Sequence, residues 1–451
     1  ELNLKNLPRK TENISRRGLF KIKRTIKDKI NPKIIHEKTI LYVIHSGVTG
    51  GTFLTNKDLM KNVENDYNVY LLAAEDKVFK LYSFSKNDLK IIKTYRRYPK
   101  LNVDNDEDKE YELNKWSCKE FHNTWISYIY FDILTNYNVD IIHIRHLINH
   151  SFDIVEVAKQ LHIPVVLSMH DFYFICPFYT LLDENNNYCK GQCVDNGKNC
   201  YVPMKSLEDI EICKDFIPTW RENVLKMFSN VDYFVTTSEI VKNLFLSIYT
   251  DRTIINEDNY KVIEHGRDFP KLNGEFTEIP LLNKPIKILC PANHLNVMKG
   301  SDIIKTIKKE DKDNLIEFHF LGRVYDDLEK YGISHGSYER DEFYKKVKEI
   351  KPSFIGIFSI WPETFCNTIT EAWACGVPII GTNIGVIEDR ILKNKGGWII
   401  DKNNPQDIFK LLFSLSENPD RYLTCKETIL NINFKNTYSM SQEYIYLYNI
   451  L

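Results

Sequence analysis

Two carboxylates eight positions apart, Glu363 and Glu371, stand in the stretch 359–381, SIWPETFCNTITEAWACGVPIIG. Apolar runs at 354–358 and 377–380 flank them, so the middle reads as a loop leading into a helix. Thr364, Asn367 and Thr368 offer side-chain oxygens where that helix begins, and Gly376-Val377-Pro378 stops it about three turns later. At roughly 100° and 1.5 Å per residue, Glu371 lies along the helix while Glu363 stays at its mouth, so one ligand can span both. The free amides of the helix start, between the two carboxylates, have no intrahelical acceptor and favour an anion. Carboxylates that accept hydroxyls beside amides that hold phosphate suit a sugar nucleotide.

Other candidates end apolar runs elsewhere. A glycine-rich turn from His45 enters a helix near Thr52, and Gly50 and Gly51 in it let the backbone approach a ligand closely. It is not the GxGxxG dinucleotide fingerprint, and a tight structural turn is the plainer alternative. His170-Asp171 places a pair that can bond a sugar hydroxyl or manage a proton, against the ordinary alternative of a structural histidine. Lys299, five positions after His294, is placed to neutralise a diphosphate unless it is simply a solvated lysine. Arg323 is a weaker phosphate candidate, and Gly336-Ser337-Tyr338 can border a nucleobase or merely cap a helix. Cys176, Cys189, Cys193 and Cys200 can hold a structural zinc, but their spacing is not the paired CxxC, and free buried thiols explain them as well. No metal is assigned to the chemistry.

The elements that must position these groups alternate. Strand-like runs at 40–44, 69–73, 141–144, 165–169, 233–236 and 262–264 are separated in several places by helical stretches. After a linker at 270–285 the series restarts at 286–290, 316–321, 354–358, 378–381 and 398–400. This is the pattern of two Rossmann-like, doubly wound α/β domains facing a cleft, with ligands at the carboxyl ends of the strands. The expected units are a basic segment at 1–38, an acceptor domain at 39–270, a donor domain at 285–430, and a closing helix at 431–451 that packs back on the body.

The 451 residues suffice for two or three such domains, and a formal charge of -1 argues against a dedicated nucleic-acid binder. Residues 1–38 hold twelve Lys or Arg against four Asp or Glu, with Leu19, Ile22, Ile26 and Ile30 at helical spacing. That suits contact with an anionic membrane surface, or a linker helix packed on its own protein. No apolar run approaches twenty residues and no export signal is evident, so the expected location is cytoplasmic, and ten cysteines fit reduced thiols. A start at Glu1 suits a fragment of something longer.

Glu363 and Glu371 followed by Ala372-Trp373-Ala374-Cys375-Gly376-Val377-Pro378 resemble the donor-site signature of the retaining GT-B glycosyltransferases of family four. His170-Asp171, Thr237-Ser238-Glu239, His265-Gly266-Arg267-Asp268, Lys299-Gly300 and Gly396-Gly397-Trp398 fall in that family's order, so the likeness covers about 39–430. The wording around Trp361 and HDFYFICP is similar to a bacterial subgroup of O-antigen, capsule and rhamnan assembly. The resemblance implies that Glu371 holds the nucleotide ribose, Glu363 and His170 contact the donor sugar, and Lys299 with the amides of Phe365, Cys366, Asn367 and Thr368 stabilises the leaving diphosphate. It implies closure of the Gly50-Gly51 loop, a glycan or lipid-linked glycan acceptor, retention of configuration by same-face attack, and no required cofactor. Two departures stand out: Thr364-Phe365-Cys366 replaces Gly-Phe-Gly, and His294 stands where the family has arginine, leaving Arg323 or Arg267 to compensate. A sugar-nucleotide epimerase of the same shape and a catalytically silent binding subunit are the alternatives. Replacing Glu371 by alanine is expected to weaken nucleotide-sugar binding with little loss of stability.

Overall fold

The computed structural model describes residues 35–451 apart from 46, 48–49, 76, 98–120, 194–215, 271, 273–275 and 295–296. The basic segment to residue 34 lies outside the described residues, as do the whole of 102–119 and part of 185–198, the loops expected to read the acceptor, and Cys200.

Short runs rich in Ile, Val and Leu form two sheets. The first contains Thr39–Ile44 (β1), Asn68–Glu75 (β2), Val78–Ser85 (β3), Asp88–Arg96 (β4), Ile141–Ile144 (β5), Val165–Ser168 (β6), Tyr233–Thr236 (β7) and Tyr260–Val262 (β8), in the order β4-β3-β2-β1-β5-β6-β7-β8. The second contains Ile286–Pro291 (β9), Ile316–Leu321 (β10), Ile333–Ser334 (β11), Phe354–Ile357 (β12), Ile379–Thr382 (β13) and Gly397–Ile400 (β14), in the order β11-β10-β9-β12-β13-β14. β1, β5 and β6 are buried throughout, as strands covered by helices on both faces must be.

The expected doubly wound architecture is therefore present, with several local differences. β3 and β4 form an antiparallel hairpin at one edge that the strand reading passed over. Its turn is Lys86-Asn87, with φ of 53° and 60°; the positive φ pair is what a tight hairpin turn needs, but the dipeptide is not the usual Asn-Gly signal. β8 ends at Val262, two residues before the expected 264, and the helix expected near Thr52 begins at Gly50. The helix after Glu363 runs Asn367–Ala374, about two turns rather than three.

Strand order reverses between β1 and β5 in the first sheet and between β9 and β12 in the second. Strands diverge at such a switch point, so the loops at their carboxyl ends open a crevice. The candidates at 45–51 follow β1, those at 293–299 follow β9, and those at 359–367 follow β12. The chain then returns: helix Thr437–Asn449 packs Met440, Tyr444 and Tyr448 into the core of the first sheet, where Tyr67 OH donates to Asn449 Oδ1 at 2.7 Å. This is the closing helix expected after residue 431.

Gly300 fixes the β9 loop against β12. Its φ is +78°, and a Cβ there would lie 2.0 Å from the Phe358 carbonyl oxygen. Gly300→Ala is expected to lower unfolding stability by about 2–4 kcal/mol, because it meets both a strained backbone and backbone atoms that cannot yield. Urea denaturation checks this, and an unchanged midpoint contradicts it.

Candidate active site

Lys299 Nζ lies 2.6 Å from Glu363 Oε1, and Ser359 Oγ donates to the same oxygen at 2.7 Å. Burial pushes the Glu363 carboxyl upward, but the Lys299 charge and the bonds from Lys299, Ser359 and Cys366 outweigh it and hold the group below its ordinary value. For Lys299, burial acts downward and Glu363 more than restores it. Both groups are charged. The Glu363 side chain is 9 % exposed and that of Lys299 32 %, so the lysine is the more open partner of the pair. Its Nζ also lies 5.6 Å from the centre of the Trp361 ring.

Glu371 is engaged differently. Its carboxylate pairs with Arg267, and both side chains are buried. Burial lifts the Glu371 carboxyl above its ordinary value, with Arg267 opposing. The Arg267 turn is clamped by the returning chain: a Cβ on Gly266 would lie 2.1 Å from Asn436 O, and Thr437 N donates to Asp268 Oδ1 at 3.1 Å. Beside it Arg340 makes two bonds to Asp58, at 2.7 and 2.8 Å, tying the second half to helix Gly50–Val63. A cavity of about 390 Å³ lined by Asp58, Arg267, Arg340 and Tyr344 opens there. The expectation that Glu371→Ala costs little stability is corrected, because it leaves the Arg267 guanidinium buried without its counter-ion.

The loop before helix Asn367–Ala374 is bonded across the cleft. Thr237 Oγ1 and Ser238 Oγ donate to Thr364 O at 2.8 and 3.3 Å, and Thr364 Oγ1 donates to His170 O at 2.6 Å. Thr364 therefore does not cap the helix; Cys366 occupies the cap position at φ 60°, with no side-chain cap bond. From the other side Arg390 Nη1 donates to Phe365 O and Cys366 O at 2.7 and 3.0 Å, and its guanidinium carbon sits 4.0 Å from the centre of the Phe365 ring. These bonds hold the helix entrance open toward the cleft.

The remaining candidates divide. The His170 ring lies 5.5 Å from that of His265, tilted by 51°, and its Nε2 is buried without a hydrogen-bond partner. Asp171 does not pair with it: Asp171 Oδ2 is held by His146 Nε2 at 2.8 Å, so the expected proton-handling pair is a His146–Asp171 pair. His294 is 2 % exposed, and both ring nitrogens lack partners; burial first and Lys299 second push it down to about 4, so it is neutral at pH 7. Trp361 Nε1 is likewise unpartnered. Buried polar atoms are normally bonded, so orphans around one charged pair are the mark of a polar ligand site. Arg323 is exposed and Arg267 is committed to Glu371, so neither stands in for the family's arginine at His294. Gly50 and Gly51 are exposed, and a Cβ at either would meet nothing within 4 Å. Tyr338 packs on Phe343 in the electrostatic reach of Glu371.

Sequence reasoning missed Arg390, Ser359 and the Asp58–Arg340 link, which carry no local pattern. Among the described residues, Cys176, Cys189 and Cys193 do not join a cluster that could hold a metal; the one group that does is His122, Asp153 and Glu156, with ligand atoms within 4.8 Å of one another. Asp153 is already bonded to His122 Nδ1 at 2.9 Å and to Asn123 N at 2.7 Å, which suits a structural role at the start of a helix.

Because Glu363 titrates below 4.5 in the folded chain, it adds stability above that ordinary value and loses it as pH falls through the folded value. Glu363→Gln is expected to cost about 1–2 kcal/mol at pH 7, with the gap to wild type narrowing from pH 5 toward pH 3. Chemical denaturation at several pH values reads this; a constant gap contradicts the charged pair.

Residues 339–430 match the family model described as Glycosyl transferases group 1. A curated relative, Uncharacterized glycosyltransferase MJ1069 of Methanocaldococcus jannaschii, is 25% identical over 205 residues, which is 43% of this chain and 51% of that protein. The chain thus aligns with about half the length of that relative. Among solved structures, Anabaena Alr3699/HepE in complex with UDP and glucose superposes with a TM-score of 0.56 at 12% identity, covering 92% of this chain and 100% of that one. WaaG, a glycosyltransferase involved in lipopolysaccharide biosynthesis, gives 0.55 at 10% identity, covering 90% and 99%. Two sheets of this topology with these neighbours are the GT-B fold, and within it the segment from Glu339 to Leu430 carries the group 1 glycosyl transferase signature.

Proposed function

We propose that this chain is a retaining glycosyltransferase that moves a sugar, a hexosyl or deoxyhexosyl unit, from a nucleotide-diphosphate donor to a growing bacterial surface glycan. The observation that carries the reading is Lys299, held charged against Glu363 at the β9–β12 switch point as the more exposed partner of that pair, beside the uncapped start of helix Asn367–Ala374. The complex of HepE with UDP and glucose supports a nucleotide-sugar donor, and the role of WaaG in lipopolysaccharide biosynthesis supports a surface-glycan acceptor.

In this reading the donor diphosphate competes with Glu363 for Lys299. The freed carboxylate accepts hydroxyls of the donor sugar, while amides 365–368 and Lys299 take the charge that grows on the leaving diphosphate. His294 adds a neutral polar contact rather than a second cation. His170, neutral and with Nε2 unengaged, bonds the donor sugar near the reacting carbon. The ribose bonds the Glu371 oxygen that Arg267 leaves available. The acceptor hydroxyl attacks from the face the diphosphate leaves, and a departing phosphate oxygen takes its proton, so configuration is retained without a metal. The acceptor is a glycan, lipid-linked or free, reached from the cytoplasm at the inner membrane face; among the described residues no helix is long and apolar enough to cross a membrane.

Incubation with candidate nucleotide sugars, with and without a surface-glycan acceptor, is expected to consume donor only when acceptor is present. Conversion without acceptor marks an epimerase, and binding without turnover a silent subunit; either outcome overturns the proposal. Glu371→Ala is expected to weaken nucleotide-sugar binding at least tenfold, corresponding to about 1.4 kcal/mol. Calorimetric affinity equal to wild type in the folded variant removes Glu371 from the pocket.

A further inference from the structure

Arg145 follows β5 and is fully buried. Its Nη1 donates to Ser168 Oγ at 3.3 Å and to Tyr444 OH at 3.2 Å, while its Nε has no partner. Among the described residues no carboxylate pairs with it. The groups around it are neutral: His143 joins Tyr448 OH at 2.6 Å to Ser168 Oγ at 2.7 Å, and Tyr42 OH meets Tyr448 OH at 3.1 Å, with burial holding both phenols protonated. A buried cation without a counter-ion weighs against folding, so its retention calls for a reason.

Its position supplies one. Ser168 ends β6, and His170, two residues on, lies with its ring 5.5 Å from that of His265, whose ring in turn lies 5.1 Å from that of Phe365 at the helix entrance. Lys299, Arg267 and Arg340 there each have a carboxylate partner, Glu363, Glu371 and Asp58, and Arg390 is held by the carbonyls of Phe365 and Cys366. Among the described residues the Arg145 guanidinium bonds neither a carboxylate nor a carbonyl. We propose that Arg145 is a positioning residue whose unmatched charge gives the cleft floor a standing positive potential, which the anionic diphosphate of the donor balances on binding. The proposal rests on the donor reading above. It also makes the last helix part of the site, since Tyr444 holds the guanidinium.

Two neighbours register this potential. His170 is faced by Arg145, His265, His143 and His146, and burial first, then Arg145, holds it well below its ordinary value. His265 is faced by Arg145, Arg390 and Arg267, and is pushed down to about 3 by burial and then by Arg145.

The test replaces Arg145 with methionine, similar in bulk and uncharged, and with lysine. Histidine titrations are followed by NMR, and the affinities of UDP and of uridine by calorimetry. Wild-type His170 and His265 are expected not to titrate between about pH 5.5 and 8, and in Arg145→Met at least one midpoint rises by about one unit. UDP is expected to bind about tenfold more weakly to that variant while uridine is unaffected, with Arg145→Lys recovering most of the difference. Equal loss of UDP and uridine, or no loss of either, overturns the proposal. If the methionine variant does not fold, the wild-type titration decides: His170 titrating near 6.5 refutes the field of Arg145. If the wild type binds UDP with no preference over uridine, the donor reading fails, while the histidine shifts still report on Arg145.

Discussion

The structure turns on the Lys299–Glu363 ion pair. It joins the carboxyl ends of two adjacent parallel strands, β9 and β12, where the order of the second sheet reverses. Each partner more than offsets the push of burial toward the other's neutral form. The pair is also asymmetric: the carboxylate is the more buried and is anchored by Ser359, while the lysine side chain is partly exposed. An anion that arrives can therefore take the lysine without dragging the carboxylate, leaving an acceptor oriented for hydroxyls.

The supporting shell is built from parts that are distant along the chain. Thr364 is tied to Thr237, Ser238 and His170 of the first half, Arg267 is clamped by residues 435–437, and Arg340 is bonded to Asp58. Among the described residues the two halves are joined by bonds to backbone carbonyls, by two guanidinium–carboxylate pairs and by apolar contacts such as Val386 in the core of the first half. The last helix threads Tyr444 and Tyr448 beneath the first sheet, so the end of the chain reaches the floor of the cleft that the middle of the chain lines.

Most of the fold was legible, because buried parallel strands read as unbroken apolar runs and eleven of them were expected within a few residues of their places. The β3–β4 hairpin was not, since its strands carry exposed Lys and Asp and its turn lacks glycine. In the candidate site, Glu363, Lys299 and His170 stood out by their places after strands, and Glu371 by its place on the helix that follows. Their partners were less so: Arg267 lies 104 residues from Glu371 and Thr237 lies 127 from Thr364, distances at which no periodicity speaks. Asp171 misled because adjacency along a chain turns side chains apart, and its partner came from the neighbouring strand's end.

The most direct measurement is the affinity of Lys299→Met for a panel of nucleoside diphosphates against that of the wild type. The account predicts saturable wild-type binding of at least one member of the panel and a loss of about a hundredfold in the variant, with the parent nucleoside little changed. Wild-type-like diphosphate affinity in a folded Lys299→Met chain would contradict the claim that the ion pair exists to be opened by the donor.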